Sequence, residues 1–182
     1  MPHFVHGRSQ PREHQVYLPK DELIISKTDT KGCITYANRT FMRICGFAEH
    51  ELLGRPHNLI RHQDMPRGAF RLMWQTLKQQ SEFFAFVKNR TAAHDYYWVF
   101  ANITPDFDNQ GQLKGYFSVR RQANPQALNL IIPLYQQMCV LEQQNDKAHA
   151  PDASIRWLTQ KIVDTGYSDY TQFVLALQGE LA

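Results

Sequence analysis

The chain has 182 residues, 43% of them apolar and 20% charged, the composition of a globular domain that buries a core rather than of a disordered segment. Its 20 basic and 17 acidic residues leave a formal charge of +3, too weak for the phosphate-tracking field of a nucleic-acid binder, so no nucleic acid is expected as a partner. Cys33, Cys45 and Cys139 are odd in number and lack metal-ligand spacing, which argues against a disulfide framework or structural zinc and fits a reducing cytoplasm.

The opening MPHFVHGRSQPREHQ has no apolar run of signal-peptide length, and no stretch anywhere reaches the ~18–20 apolar residues of a membrane span. A cytoplasmic protein without a membrane span is expected. Residues 1–18 read as a flexible or docked tail. Residues 23–28 (LIISKT) and 33–37 (CITYA) flank the turn Asp29-Thr30-Lys31-Gly32, which predicts a β-hairpin. Asn38 suits the N-cap of a short helix over Phe41, Met42, Ile44 and Cys45 that stops at Gly46. A second short helix fits residues 48–53, closed by Gly54.

After Pro66, the residues Phe70, Met73, Trp74 and Leu77 recur at helical spacing and predict one helix to about residue 80. Three extended segments follow at 83–89, 96–105 and 113–121, an antiparallel meander. Beyond Pro125 the pattern turns helical. Leu128, Ile131, Ile132, Tyr135 and Met138 mark one helix that Pro133 should kink or divide. Ile155, Leu158 and Ile162 mark a second, and a third is capped by Ser168.

The order of elements predicts an α+β domain over residues 19–123, its early hairpin joined to the late meander in one five-stranded antiparallel sheet with helices on one face. A helical extension occupies 124–182. A long helix over such a sheet leaves room for a ligand cavity.

With the elements placed, residues 18–138 resemble a PAS domain of the aerotaxis-receptor type. The run Gly54-Arg55-Pro56-His57-Asn58-Leu59-Ile60-Arg61-His62-Gln63-Asp64-Met65-Pro66 is similar to that family's G-x-P-H-N-x-x-R-H-P-D-M-P, and Tyr96-Tyr97-Trp98-Val99 and Gly115-Tyr116-Phe117-Ser118-Val119-Arg120 look like its strand motifs. The chain departs from the pattern at Gln63, at Phe83 in place of Trp, at Ala85 in place of Gly, and at Ala93-His94 in place of an Asn-Gly turn. The resemblance implies a PAS fold that binds FAD non-covalently and acts as a redox, oxygen or energy sensor, not an enzyme. It would signal in aerotaxis or chemotaxis to a downstream partner or through its own homodimer.

The same resemblance implies that Arg61, His62, Asp64 and Asn89 contact the flavin, with Trp74, Trp98 and Phe83 as pocket aromatics. Read from the residues alone, Arg61 and Asp64 are an ordinary surface ion pair, His62 is a loop histidine, Trp74 is core, and Asn89 pairs with a strand-end backbone. Two other functions stay open: a ligand-free PAS module for protein–protein interaction, its cavity filled by Phe83, Phe84, Phe86 and Trp98, and a haem or small-molecule sensor using His57 or His62.

Overall fold

The computed structural model of the chain describes residues 13–179. The first two strands, β1 (Ile24–Asp29) and β2 (Ile34–Ala37), form the expected hairpin. Its turn is held by the Asp29 carboxylate, which accepts from the backbone N–H groups of Lys31 and Cys33, and by Gly32 at φ +83°. Helix α1 (Arg39–Cys45) starts where the Asn38 side chain accepts from Phe41 N and ends in left-handed Gly46. Helix α2 (Glu49–Leu52) and a 3-10 turn (His57–Ile60) lead to α3 (Arg67–Lys78), and then to β3 (Phe83–Arg90), β4 (Tyr96–Phe107) and β5 (Leu113–Gln122).

The sheet has the order β2-β1-β5-β4-β3 with every neighbour antiparallel, the five-stranded arrangement expected from the order of elements. Helices α1–α3 lie over one face. Under α1 and α2 that face is solid core, built from Ile24, Ile34, Phe41, Ile44, Leu52, Tyr97 and Val99. Under α3 it is hollow.

Of the expected tail over 1–18, residues 1–12 lie outside the described residues. The segment after them runs beside β4: Tyr96 N donates to the His14 carbonyl, Val16 N donates to the Tyr96 carbonyl, and Leu18 is buried. The helical extension comprises α4 (Pro125–Gln144), α5 (Ala150–Asp164) and α6 (Tyr170–Gln178). It packs on the other face of the sheet and around its β3 edge. Ile131, Tyr135 and Met138 of α4 share a buried cluster with Phe86, Trp98 and Phe100 of the strands. Covering β3 removes an unpaired edge strand from solvent.

Two local expectations are corrected. Helix α4 is not divided at Pro133, because the buried Ile131 and Tyr135 on either side hold it to the sheet against the loss of one backbone bond. The cap of α6 is Asp169, which accepts from Gln172 N at 2.8 Å; Ser168 donates its hydroxyl to the Gln172 side chain at 3.1 Å. Among the described residues no helix is long and apolar enough to cross a membrane.

Candidate functional site

Strand alternation decides what faces the hollow. Phe83, Ala85, Val87 and Asn89 of β3 point inward together with Ala101 and Ile103 of β4 and Tyr116, Ser118 and Arg120 of β5, while α3 lowers Ala69, Phe70, Met73, Trp74 and Leu77 onto them. These residues enclose a cavity of about 350 Å³, at the lower end of the ~300–1,000 Å³ typical of small-molecule sites. Its broad walls are apolar. The floor is low, because Ala85 and Ala101 stand directly opposite each other across the β3–β4 ladder. Trp74 meets Tyr116 edge-on at 5.4 Å, and Phe83 stacks on Tyr170 of α6 at 5.7 Å.

One edge of the cavity is polar. Arg120 donates to Ser26 Oγ and approaches His57 Nε2 at 3.3 Å, with its guanidinium over the Phe41 ring. Burial and the adjacent Arg120 charge push His57 down to about 3, so it is neutral. Asn89 lies on the same wall, its strand bridged to the Arg61 backbone. Arg61 stands at the mouth, stacked on the Phe70 ring at 3.9 Å and reaching the Met65 carbonyl at 3.5 Å. Burial lowers the proton affinity of its guanidinium.

Arg61 and Met65 also line an adjacent open groove of about 1070 Å³ along the protein surface. Its sides carry Arg61, Arg67, Arg90, His14 and His94 against Glu13, Asp95 and Glu142. His94 holds φ at +65°, the left-handed conformation for which the family's usual Asn-Gly turn is suited.

Of the seven residues singled out from the sequence, Arg61, Trp74, Phe83 and Asn89 line the cavity. His62 and Asp64 do not reach it. His62 is 3% exposed and faces the groove, its Nδ1 accepting from Asp64 N at 3.1 Å and its Nε2 donating to Glu13 at 2.9 Å. Asp64 pairs with Lys88 at 2.6 Å and lies 3.5 Å from His62 Nδ1, so it steadies the groove wall and leaves Arg61 alone. Trp98 is a correction: paired with Lys88 across the ladder, it projects from the opposite face and packs on Tyr135 of α4. Phe84 and Phe86 share that outer face, stacked and tilted against Phe100, so they do not fill the cavity.

Sequence reasoning missed Ser26, His57 and Arg120 as one polar edge. Arg120 sits in a run, Val119-Arg120-Arg121-Gln122, that looks like an exposed strand end. The signal available was period two: with Tyr116 inward, Ser118 and Arg120 must be inward as well. Cys33, Cys45 and Cys139 are free, and none of them lines the cavity.

Comparison with known proteins agrees with this architecture. Residues 34–120 match the family model for the PAS fold. The chain is 42% identical over 118 residues to the aerotaxis receptor of Escherichia coli (strain K12), covering 65% of this chain and 23% of that protein. It is 35% identical over 97 residues to the nitrogen fixation regulatory protein of Klebsiella pneumoniae, covering 53% of this chain and 20% of that one. The chain thus spans less than a quarter of the length of these relatives. Among solved structures, the light state of the blue-light photoreceptor Aureochrome1 LOV superposes with a TM-score of 0.54 at 16% identity, over 63% of this chain and 90% of that one. A light-oxygen-voltage domain studied with a flavin analogue gives 0.53 at 19% identity, over 61% and 83%. At such identities these structures speak to the fold alone. Sheet order, helix placement and family match agree: residues 34–120 form a PAS domain, similar in sequence to that of the aerotaxis receptor.

Proposed function

We propose that this PAS domain is a redox sensor that holds FAD non-covalently and passes a change in its redox state, as a conformational change, to a downstream signalling protein or a second copy of the chain. The observation that carries the reading is the shape and chemistry of the cavity. It is apolar between α3 and the Ala85–Ala101 floor, polar along the Asn89–Arg120 edge, and bordered at Arg61 by a groove that carries several basic side chains. A flavin has the same three parts: a flat ring, a polar ring edge and a charged tail. Bound there, it would supply the electron chemistry that side chains cannot.

The chain's own part is binding and response. Phe70, Trp74 and Phe83 exclude water from the ring, Asn89 offers an amide to its polar edge, and Arg61 at the mouth offers charge-assisted hydrogen bonds to phosphate oxygens. The groove beyond Arg61 has room for a dinucleotide's second half, which favours FAD over a mononucleotide. No cysteine lines the cavity, so the proposed binding involves no thiol adduct, and sensing requires no turnover.

The test is to purify the full chain, record its visible spectrum and identify the released chromophore by mass. The two-banded spectrum of an oxidised flavin is expected, with FAD released on denaturation. Arg61→Ala and Asn89→Ala should each weaken FAD binding about 10–100-fold, the loss of one strong hydrogen-bonding group, with the fold retained by circular dichroism. Colourless protein that refuses added FAD would leave a ligand-free interaction module, and a Soret band would indicate haem.

A further inference from the structure

Arg120 is 2% exposed on the cavity side of β5, and among the described residues no carboxylate is set against it. Its hydrogen-bonding partners are neutral: the Ser26 hydroxyl and the His57 ring. The ionisable groups whose fields reach it are Tyr97 and Cys45, and burial raises both, which keeps them protonated and uncharged. Among the described residues its Nε has no hydrogen-bond partner. Burial lowers Arg120 to about 10, so the guanidinium remains charged at neutral pH.

A buried cation with a free donor is among the least favourable groups a wall can carry unless something completes it. An apolar residue would pack there without that penalty. What is missing is an acceptor rich in oxygen, and most of all one with negative charge. Arg120 lines the cavity, so an acceptor held there would stand beside its guanidinium.

We propose that Arg120 is the anion receptor of the cavity: it binds the oxygen-bearing edge of the ring and holds that ring more tightly when it is reduced and negatively charged than when it is oxidised and neutral. The inference rests on the flavin reading above. Two electrons come from a reductant in solution, dithionite in the test below, and one proton from water, which leaves one net negative charge on the ring; no bond to the protein is made or broken. That charge competes for the guanidinium with Ser26 on β1 and His57 on the 3-10 turn. Next to Ser26, Ile25 N donates to Asn38, the cap of α1, so the hairpin and α1 lie one step from the group that reads the charge.

The test uses the full chain loaded with FAD and titrated with dithionite against reference dyes. In the unaltered protein the bound midpoint potential should lie above that of free FAD. Arg120→Gln keeps hydrogen bonding without the charge and should cut the preference for the reduced form at least about tenfold, a fall of about 30 mV for a two-electron couple. Arg120→Lys should restore at least half of it. A potential at or below that of free FAD in the unaltered protein overturns the proposal whether or not Arg120→Gln folds, and so does an Arg120→Gln potential equal to the parent's. A chain that takes up no FAD sinks the flavin reading and this inference with it; one that binds FAD with a potential indifferent to Arg120 sinks this inference alone.

Discussion

His57 shows how a single residue couples the site to stability. It stacks on the Phe41 ring and meets the Arg120 guanidinium, and it is held down to about 3 by burial first and the Arg120 charge second. An unfolded chain binds a proton there once pH drops below about 6.5, while the folded protein declines it until about 3. The stability this group contributes is therefore complete above about pH 6.5 and drains as pH falls toward 3, with a slope of up to about 1.4 kcal/mol per pH unit. Urea unfolding between about pH 7 and about pH 5 should show that slope, and His57→Gln should flatten it. An unaltered slope in His57→Gln would remove His57 from the account.

The residue scale is also where legibility in the sequence divides. The turn and cap bonds of Asn38, Asp29 and Gly46 to Phe41, Cys33 and Met42 span no more than four residues, so local chemistry reveals them. Phe83 and Asn89 were found because their strand is one clear apolar run whose resemblance aligns. Trp98 was misplaced because an aromatic is at home on either face of a sheet covered on both, and only the pairing of Lys88 with Trp98 tells which. Arg120 was invisible for the opposite reason: a charge is presumed solvated, and the exception depends on Ser26, 94 positions away.

Among the elements, α3 depends most on distant chain. It forms the cavity's roof, yet Pro66 gives its first turn no side-chain cap. The cap comes from α4. Glu142, 8% exposed, accepts from Arg67 N at 2.9 Å and Gly68 N at 2.8 Å and also takes the Ser154 hydroxyl at 2.8 Å. A carboxylate here meets both the free N–H groups and the positive end of the helix dipole. Gly68 permits the approach: a Cβ there would overlap Ser154 Oγ and press on the Pro151 carbonyl at 3.1 Å. Glu142→Ala strands several buried donors and should lower stability by about 2–3 kcal/mol, with Glu142→Gln intermediate. Under the proposed function, flavin affinity should fall along with it, since Phe70 and Trp74 ride on α3. An alanine variant within about 0.5 kcal/mol of the parent, a typical surface effect, would mean that solvent caps α3 just as well. Nothing in the sequence hints at this clasp, because Glu142 in a Gln-rich helix end resembles any solvated face.

On the scale of the whole molecule, the helical extension and the PAS domain share one interior. Phe86, Trp98 and Phe100 of the sheet are buried in the same cluster as Ile131, Leu158 and Phe173 of the three terminal helices. Tyr135 fastens that cluster by donating to the Phe86 carbonyl at 3.0 Å, and its hydroxyl meets that of Tyr170 at the same distance. Domains that touch through a polar, modest surface unfold separately, whereas a shared apolar core makes them one cooperative unit. The prediction is read with the chain's three tryptophans: Trp74 and Trp98 report on the PAS domain and Trp157 on α5. Trp157→Phe leaves the first two, and the double variant Trp74→Phe, Trp98→Phe leaves the third. Each variant's fluorescence midpoint in urea should coincide with its own circular dichroism midpoint, with one transition apiece. If Trp157 instead reports a separate, earlier transition, the extension is an independently melting appendage. A change in the cavity would then have no rigid route through Phe83 and Tyr170 to α6, and the response would have to leave by the hairpin side of the sheet.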